Sequence, residues 1–532
     1  MRIGRISGLA AALTLFLVAC GSDGGGTDSD DDVDTGAASG DWAFATAIKA
    51  DPGDLHPHLT TLAATRGVAA YMYDKLVYFT RDGEQLPWLA ESWEVDGDSV
   101  TYTIHDGVTC SDGTPLTASD VAANFEFVTD PDNQAPVRGV LIPAELEITA
   151  DDDARTVTLT APDPDPFLLH STGELFIACR AGLDDPDLLQ ADGLGSGMYA
   201  LSERVPNDHY TFERRDEYTW GPGGATAADP GTAASITLRV IENESTAVNL
   251  FLSGEIDAVS AVGPDRQRLE DSHEQVTSGG TVGELFFNQA DDHPSADPDV
   301  RAALAQALDF AELTAVITGG FGEQSRATAA IEPVACSYDA VTGQLPDFDP
   351  EGARAILDDA GWTAGSNGVR ERDGERLSFS LVYNSTRGET TASAAELIAQ
   401  QWSDVGADVT TRGMPPTEYN TVVFSAGDWD AVLLPVNVRL PSQLVPFFSG
   451  TPVPDGVNFA HLTNDEYEAA VADAMQLPGE ESCPEWQRAD QALIAARDVL
   501  LFADETIPTF LDGVTLELGS DGIVAPTIRA VS

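Results

Sequence analysis

The sequence predicts an α/β protein, and three observations carry that expectation. Between residues 285 and 435, short apolar or β-branched runs alternate with helical patterns, the arrangement that builds sheets covered by helices. Residues 99–105 and 156–160 alternate apolar and polar positions, as half-buried strands do. Helix starts carry their own signals: Thr117 stands three residues before Asp120, and Asp349 stands directly before Pro350.

In residues 99–105, Val100, Tyr102 and Ile104 share one face, and Thr101, Thr103 and His105 the other. Thr117 is expected to cap a helix whose apolar side begins with Val121, Ala122 and Phe125. A second strand is expected at 156–160, with Pro- and Gly-rich connections at 161–166 and 221–231. Leu285-Phe286-Phe287-Asn288 reads as the buried end of a strand. Residues 299–310 then place Val300, Ala303, Leu304, Ala307 and Leu308 on one helical face. Asp349 and Pro350 open another helix, which Gly361 closes. Residues 381–384 read as strand, 394–405 as helix and 408–411 as strand. From about 485 the pattern returns to helix, then to a strand near 506–511. No internal repeat is visible.

Composition limits the partners. A chain of 532 residues suggests roughly three structural units at ~150 residues each. Forty-two per cent hydrophobic residues excludes a disordered chain. The formal charge of −61 excludes surfaces built to neutralise phosphates, so nucleic acid and anionic lipid headgroups are poor partners. Lys49 and Lys75 are the only lysines among 27 basic residues. That bias reflects genome composition or salt adaptation rather than chemistry.

The first residues set the compartment. Arg2 and Arg5 precede an apolar run over 9–19, too short for the ~20 residues of a membrane span. A basic start, a short apolar stretch and a small-residue exit describe a secretory signal peptide. Its exit, Leu17-Val18-Ala19-Cys20-Gly21, resembles the bacterial lipobox. The resemblance implies cleavage after residue 19 and a lipid anchor on Cys20. Residues 20–40 are rich in Gly, Ser and Asp and read as an extended acidic tether. Four cysteines remain, an even number that suits an oxidising compartment. Of three connectivities, Cys110–Cys179 with Cys336–Cys483 is expected, because each pair closes within one region of the chain. No Cys-x-x-Cys spacing points to a metal, and no cofactor is expected.

Catalytic patterns are missing from the sequence. There is no His-Glu-x-x-His, no Gly-x-Ser-x-Gly and no phosphate loop. Ser-x-x-Lys fails because Thr46 and Met72 precede the two lysines. Gly193, Gly195 and Gly197 read as a turn rather than a nucleotide fingerprint. The enzyme reading is therefore set behind a binding protein.

Several ordered segments carry a family likeness. They are Tyr73-Asp74-Lys75-Leu76-Val77, Leu86-Pro87-Trp88-Leu89-Ala90-Glu91-Ser92-Trp93-Glu94, and Thr101-Tyr102-Thr103-Ile104-His105-Asp106-Gly107-Val108. Ser111-Asp112-Gly113-Thr114-Pro115-Leu116-Thr117 and Gly195-Ser196-Gly197-Met198-Tyr199 follow in the same order. Together they resemble the family 5 extracellular solute-binding proteins, the peptide- and nickel-type receptors of ABC importers. The resemblance implies a two-lobed, periplasmic-binding-protein-like α/β fold of type II with an extra subdomain. It places a first lobe at 41–275, a second at 276–484 and a return to the first at 485–532. It further implies a monomer that closes over a small, peptide-like solute and docks on a membrane permease. A tethered cell-surface hydrolase is the competing reading.

Candidate ligand residues follow from the same resemblance. Peptide-binding members hold the peptide amino terminus with an aspartate just past a second-lobe strand. Here that stretch holds Asn437, Val438, Arg439 and Leu440, with no carboxylate. Arg439 would instead suit a carboxylate or phosphate, or else pair with one of the chain's many acids. The segment Tyr383-Asn384-Ser385-Thr386-Arg387 stands near the arginine that dipeptide receptors use for the peptide carboxylate. His56 and His58 replace part of a Leu-Asp-Pro turn and could touch a solute or a metal chelate.

Overall fold

The computed structural model describes residues 42–191, 193–365 and 368–531. The leader, Cys20 and the tether lie outside the described residues. No helix among the described residues is long and apolar enough to cross a membrane.

An 11-stranded sheet joins the two lobes. From the second lobe inward its order is Asp408–Met414, Ser378–Asn384, Ala431–Leu433, Glu274–Phe287 and Val499–Leu511. Ala258–Ser260, Ala43–Ile48, Ser235–Val240, His209–Arg214 and Tyr199–Val205 continue it into the first lobe, and the eleventh strand, Gly322–Glu323, pairs with Val499–Leu511 off this path. The second-lobe strands Ser378–Asn384, Asp408–Met414 and Ala431–Leu433 pair in parallel, and helix Glu389–Asp404 makes the crossover between the first two. That is the strand–helix alternation legible in the sequence.

The long strands Glu274–Phe287 and Val499–Leu511 carry the chain from one lobe to the other. Leu285–Phe287 pairs on its outer side with second-lobe Ala431–Leu433, whereas Thr509–Leu511 pairs with first-lobe Ala258–Ser260. Both ends of Val499–Leu511 are buried, but Asp504, Glu505, Thr506 and Ile507 at its middle are only half-buried. Next to them the register shifts between Thr281, Gly283 and Glu284, which pair with Asp504, Ala503 and Leu501. A bulge loosens the ladder where the lobes meet.

A four-stranded antiparallel sheet forms the extra subdomain, in the order Ala90–Asp96, Ser99–Ile104, Thr156–Thr160 and Glu147–Asp151. Val100, Tyr102 and Ile104 point into its core, as the alternation requires. Helix Ala118–Thr129 covers it with Val121 and Phe125. Thr117 accepts from the Asp120 amide while Asp120 accepts from the Thr117 amide at 2.9 Å, a reciprocal cap.

Three expectations shift. The single helix over 299–310 is two, Pro298–Gln306 and Phe310–Ile317, because Asp309 caps the second through the Glu312 amide at 3.0 Å. The strand near 506–511 is the second half of Val499–Leu511. Its first half is apolar on both faces, so it shows no alternation. The return to the first lobe does not begin at 485. Helix Cys483–Ala495 packs Trp486 and Leu493 into the second-lobe core with Trp429 and Phe448. The chain crosses back inside Val499–Leu511, whose Phe510 and Leu511 reach first-lobe cores. Disulfides join Cys110 to Cys179 within the first lobe and Cys336 to Cys483 within the second.

Candidate functional site: the cleft between the lobes

A cleft of about 1350 Å³ opens between the lobes. The first lobe contributes Ile48, Arg66, Tyr71 and Leu141, with Asp165 and Ser520–Gly522. The second contributes Ile331, the stretch Val436–Leu440, and Phe447. The walls are mainly apolar, with a few polar groups that can fix a ligand's orientation. Lobe-to-lobe contacts frame it. Gln443 Nε2 donates to the Val140 carbonyl at 2.8 Å, Arg81 pairs with Glu332 at 2.7 Å, and Phe167 packs on Trp486.

Arg439 stands on the segment that enters the cleft from the second lobe. Four anchors fix that segment, three on the crossover strand and one on Ile331. Asn437 Oδ1 accepts from the Thr281 amide at 2.9 Å, and its Nδ2 donates to the Thr281 carbonyl at 3.0 Å. The Val436 amide donates to Glu284 at 2.7 Å, and the Ile331 amide to the Val438 carbonyl at 3.3 Å. Asn437 thus lines the cleft while its amide is spent on the backbone.

From this base Arg439 crosses to the first lobe and pairs with Glu174. It joins a cluster drawn from five distant segments. Arg66 holds Asp521 with two donors at 2.6 and 3.1 Å. Lys75 reaches Asp521 at 2.7 Å, Glu174 at 3.3 Å and Ser520 at 2.7 Å. Ser520 in turn donates to Glu174 at 2.7 Å. Burial, with Arg439 and Arg66 nearby, lowers the Lys75 ammonium to about 8 despite Asp521. Burial likewise lowers Arg439 to about 10, which leaves it charged at neutral pH. The Lys75, Arg66 and Arg439 cations hold the Asp521 carboxyl far below the usual carboxylate range, although burial opposes them. His170, close to Arg439, is lowered to about 4 by burial and that positive charge, so it is neutral.

The other expected ligand residues are not in the cleft lining. His58 is buried in the first-lobe core, where its Nε2 meets Asn124 Oδ1 at 2.8 Å. His56 is buried too and stacks on Phe127. Burial lowers His56 to about 4 and His58 to about 3. Asn384 is spent on a turn, accepting from the Thr386 amide at 3.0 Å. Tyr383 packs against Gly413, and Arg387 is exposed on that turn. Among the described residues, no group of three or more His, Cys, Asp or Glu could hold a metal ion. Sequence reading missed Arg66, Lys75, Glu174 and Asp521, whose meeting is purely tertiary.

The recognised motifs build the scaffold beside the cleft. Asp74 is fully buried and accepts from Trp88 Nε1 at 3.0 Å, Tyr218 Oη at 2.9 Å, Trp220 Nε1 at 2.9 Å and Ser196 Oγ at 2.9 Å. Gly195 and Gly197 press on the Met72 backbone, where a Cβ would lie 2.3 and 2.6 Å from its carbonyl oxygen.

The family model for bacterial extracellular solute-binding proteins, family 5, matches residues 84–452. The chain belongs to family 5 of the extracellular solute-binding proteins. This family 5 protein is 29% identical to the nickel-binding periplasmic protein of Escherichia coli K12, over 70% of this chain and 71% of the relative. It is 23% identical to the periplasmic murein peptide-binding protein MppA of the same organism, over 80% and 81%. A Microbacterium hydrocarbonoxydans substrate-binding protein, crystallised with 4-hydroxybenzoate hydrazide, superposes with a TM-score of 0.70 at 26% identity. That match covers 92% of this chain and 100% of the other. NikA of Brucella suis, in complex with Fe(III)-EDTA, shares the fold at a TM-score of 0.74 and 21% identity, over 92% and 100%. Family 5 members are extracytoplasmic binding proteins of ABC importers rather than enzymes.

Proposed function

We propose that this protein captures a peptide or similar small organic solute in the inter-lobe cleft and delivers it to a membrane permease. The cleft itself carries the reading. It lies between two lobes joined by two long strands, is mainly apolar, and offers a charged cluster to which both lobes contribute. Binding would hold the lobes shut over the solute, and the closed form would be the one a permease accepts. Cleavage after residue 19 and a lipid on Cys20 would keep the protein beside the membrane. A chelated metal is the second reading, favoured by the nickel-binding relative. A bare ion finds no ligand set among the described residues, so such a ligand would come as a preformed complex.

Calorimetric and thermal-shift screening of the purified protein against peptides, small organic acids and amides, and metal chelates tests the reading. Saturable one-to-one binding of a solute supports it. No binding by any class, together with turnover of an ester or peptide, would instead point to a tethered hydrolase.

A further inference from the structure

The buried cluster on the cleft wall does not balance. Arg66, Lys75 and Arg439 carry three positive charges, and Asp521 and Glu174 carry two negative ones. All five side chains are at most 15% exposed. Phe176 lies under both Arg66 and Lys75, at 4.9 and 5.2 Å, and gives its ring face but no charge. The other charges of the cleft are committed elsewhere or stand apart. Lys49 pairs with Glu244 and Glu332 with Arg81. Asp165 accepts from the Phe167 amide at 2.9 Å and pairs with no cation among the described residues. An unmatched charge removed from water is costly unless a partner arrives.

We propose that the solute carries a carboxylate and that this group seats on the Arg66–Lys75–Arg439 cluster, which it neutralises. The inference rests on the solute-binding reading above. One excess charge matches a monoanion. A phosphate monoester, at −1.5 to −2, would overshoot it. Arg439 and Arg66 line the cleft and are donors of the kind that hold a carboxylate, while Lys75, whose own donors go to Asp521, Glu174 and Ser520, adds its charge. Arg439 belongs to the second lobe and Arg66 to the first, so one carboxylate would touch both halves and favour the closed form. Lys75 adds a titration. With Glu174, Ser520, Asp521, Arg66 and Arg439 around it, its ammonium is lowered to about 8. A bound anion favours the charged form, so affinity is full below pH 8 and declines above it.

Matched pairs decide the question: di- and tripeptides and aliphatic and aromatic acids, each against its carboxamide and, where available, its phosphate analogue. Calorimetry on the unmodified protein is expected to show the acid of a binding pair held about tenfold or more tightly than its amide. That preference should shrink between pH 7.5 and 9.5. Arg439→Gln should remove most of that preference, and Glu174→Gln should enlarge it. Amides that bind as well as acids would overturn the proposal and leave the solute-binding reading intact, as would tighter phosphates. Failure of every acid, amide, phosphate and chelate would remove the reading and the proposal together. Because the acid-to-amide ratio is measured on the unmodified protein, a variant that fails to fold does not rescue the idea.

Discussion

Asn437 donates to and accepts from the backbone of a single residue, Thr281, at 3.0 and 2.9 Å. The side chain acts as one more rung of the ladder at the point where the crossover strand bulges. Gly280 makes room for it, since a Cβ there would stand 2.9 Å from Asn437 Oδ1. The arrangement ties the segment bearing Arg439 to the joint between the lobes.

Asn437→Ala leaves both Thr281 groups without that partner. A loss of about 1–3 kcal/mol is expected in urea unfolding, with weaker solute binding because Arg439 is less firmly placed. Unchanged stability and affinity would show that the contact is incidental.

Asp74 collects four side-chain donors in a fully buried site. Removing the acceptor strands two indoles and two hydroxyls. Asp74→Ala should cost about 3–5 kcal/mol, read from chemical denaturation. Asp74→Asn should cost less, because its amide oxygen still accepts. Equal costs would mean that packing, not hydrogen bonding, holds this corner.

His56 and His58 govern part of the acid sensitivity. Their folded values, about 4 and about 3, lie below the ordinary 6.5. Below pH 6.5 the unfolded chain therefore binds protons that the folded chain refuses. Stability is full above pH 6.5 and falls as pH drops toward 3. Each histidine contributes a slope of at most about 1.4 kcal/mol per pH unit. His58→Gln should flatten the curve of unfolding free energy between pH 6.5 and 4.5, whatever its baseline stability. Parallel curves for variant and parent would contradict the assignment.

Each disulfide closes a long loop inside one lobe, with sequence separations of 69 and 147. On loop entropy, reduction should cost about 4–5 kcal/mol per bridge. Thiol titration of the unfolded, unreduced protein should find none of these four cysteines free. Four free thiols would remove both bridges.

Local signals explain why much of the fold was legible. The Thr117 cap, the alternation of Val100, Tyr102 and Ile104, and the Asp349-Pro350 start depend on neighbours in sequence. Val499–Leu511 was half hidden because its first five residues are buried on both faces. The site was less legible. Arg439 stood out as a positive charge where peptide receptors have an acid, but its partner Glu174 lies 265 positions away in sequence. His56 and His58 could touch a solute or a chelate on sequence grounds, yet Asn124 and Phe127 accommodate them in the core. Arg387 and Asn384 follow from the family resemblance alone, and the turn they occupy is not part of the cleft lining.

The measurement that bears most directly on the central claim is calorimetric titration of the purified protein with a carboxylate-bearing solute found by screening, repeated with Arg439→Gln. The account predicts saturable one-to-one binding that weakens about tenfold or more in the variant. Saturable binding that is indifferent to Arg439, or no binding by any solute class, would contradict it.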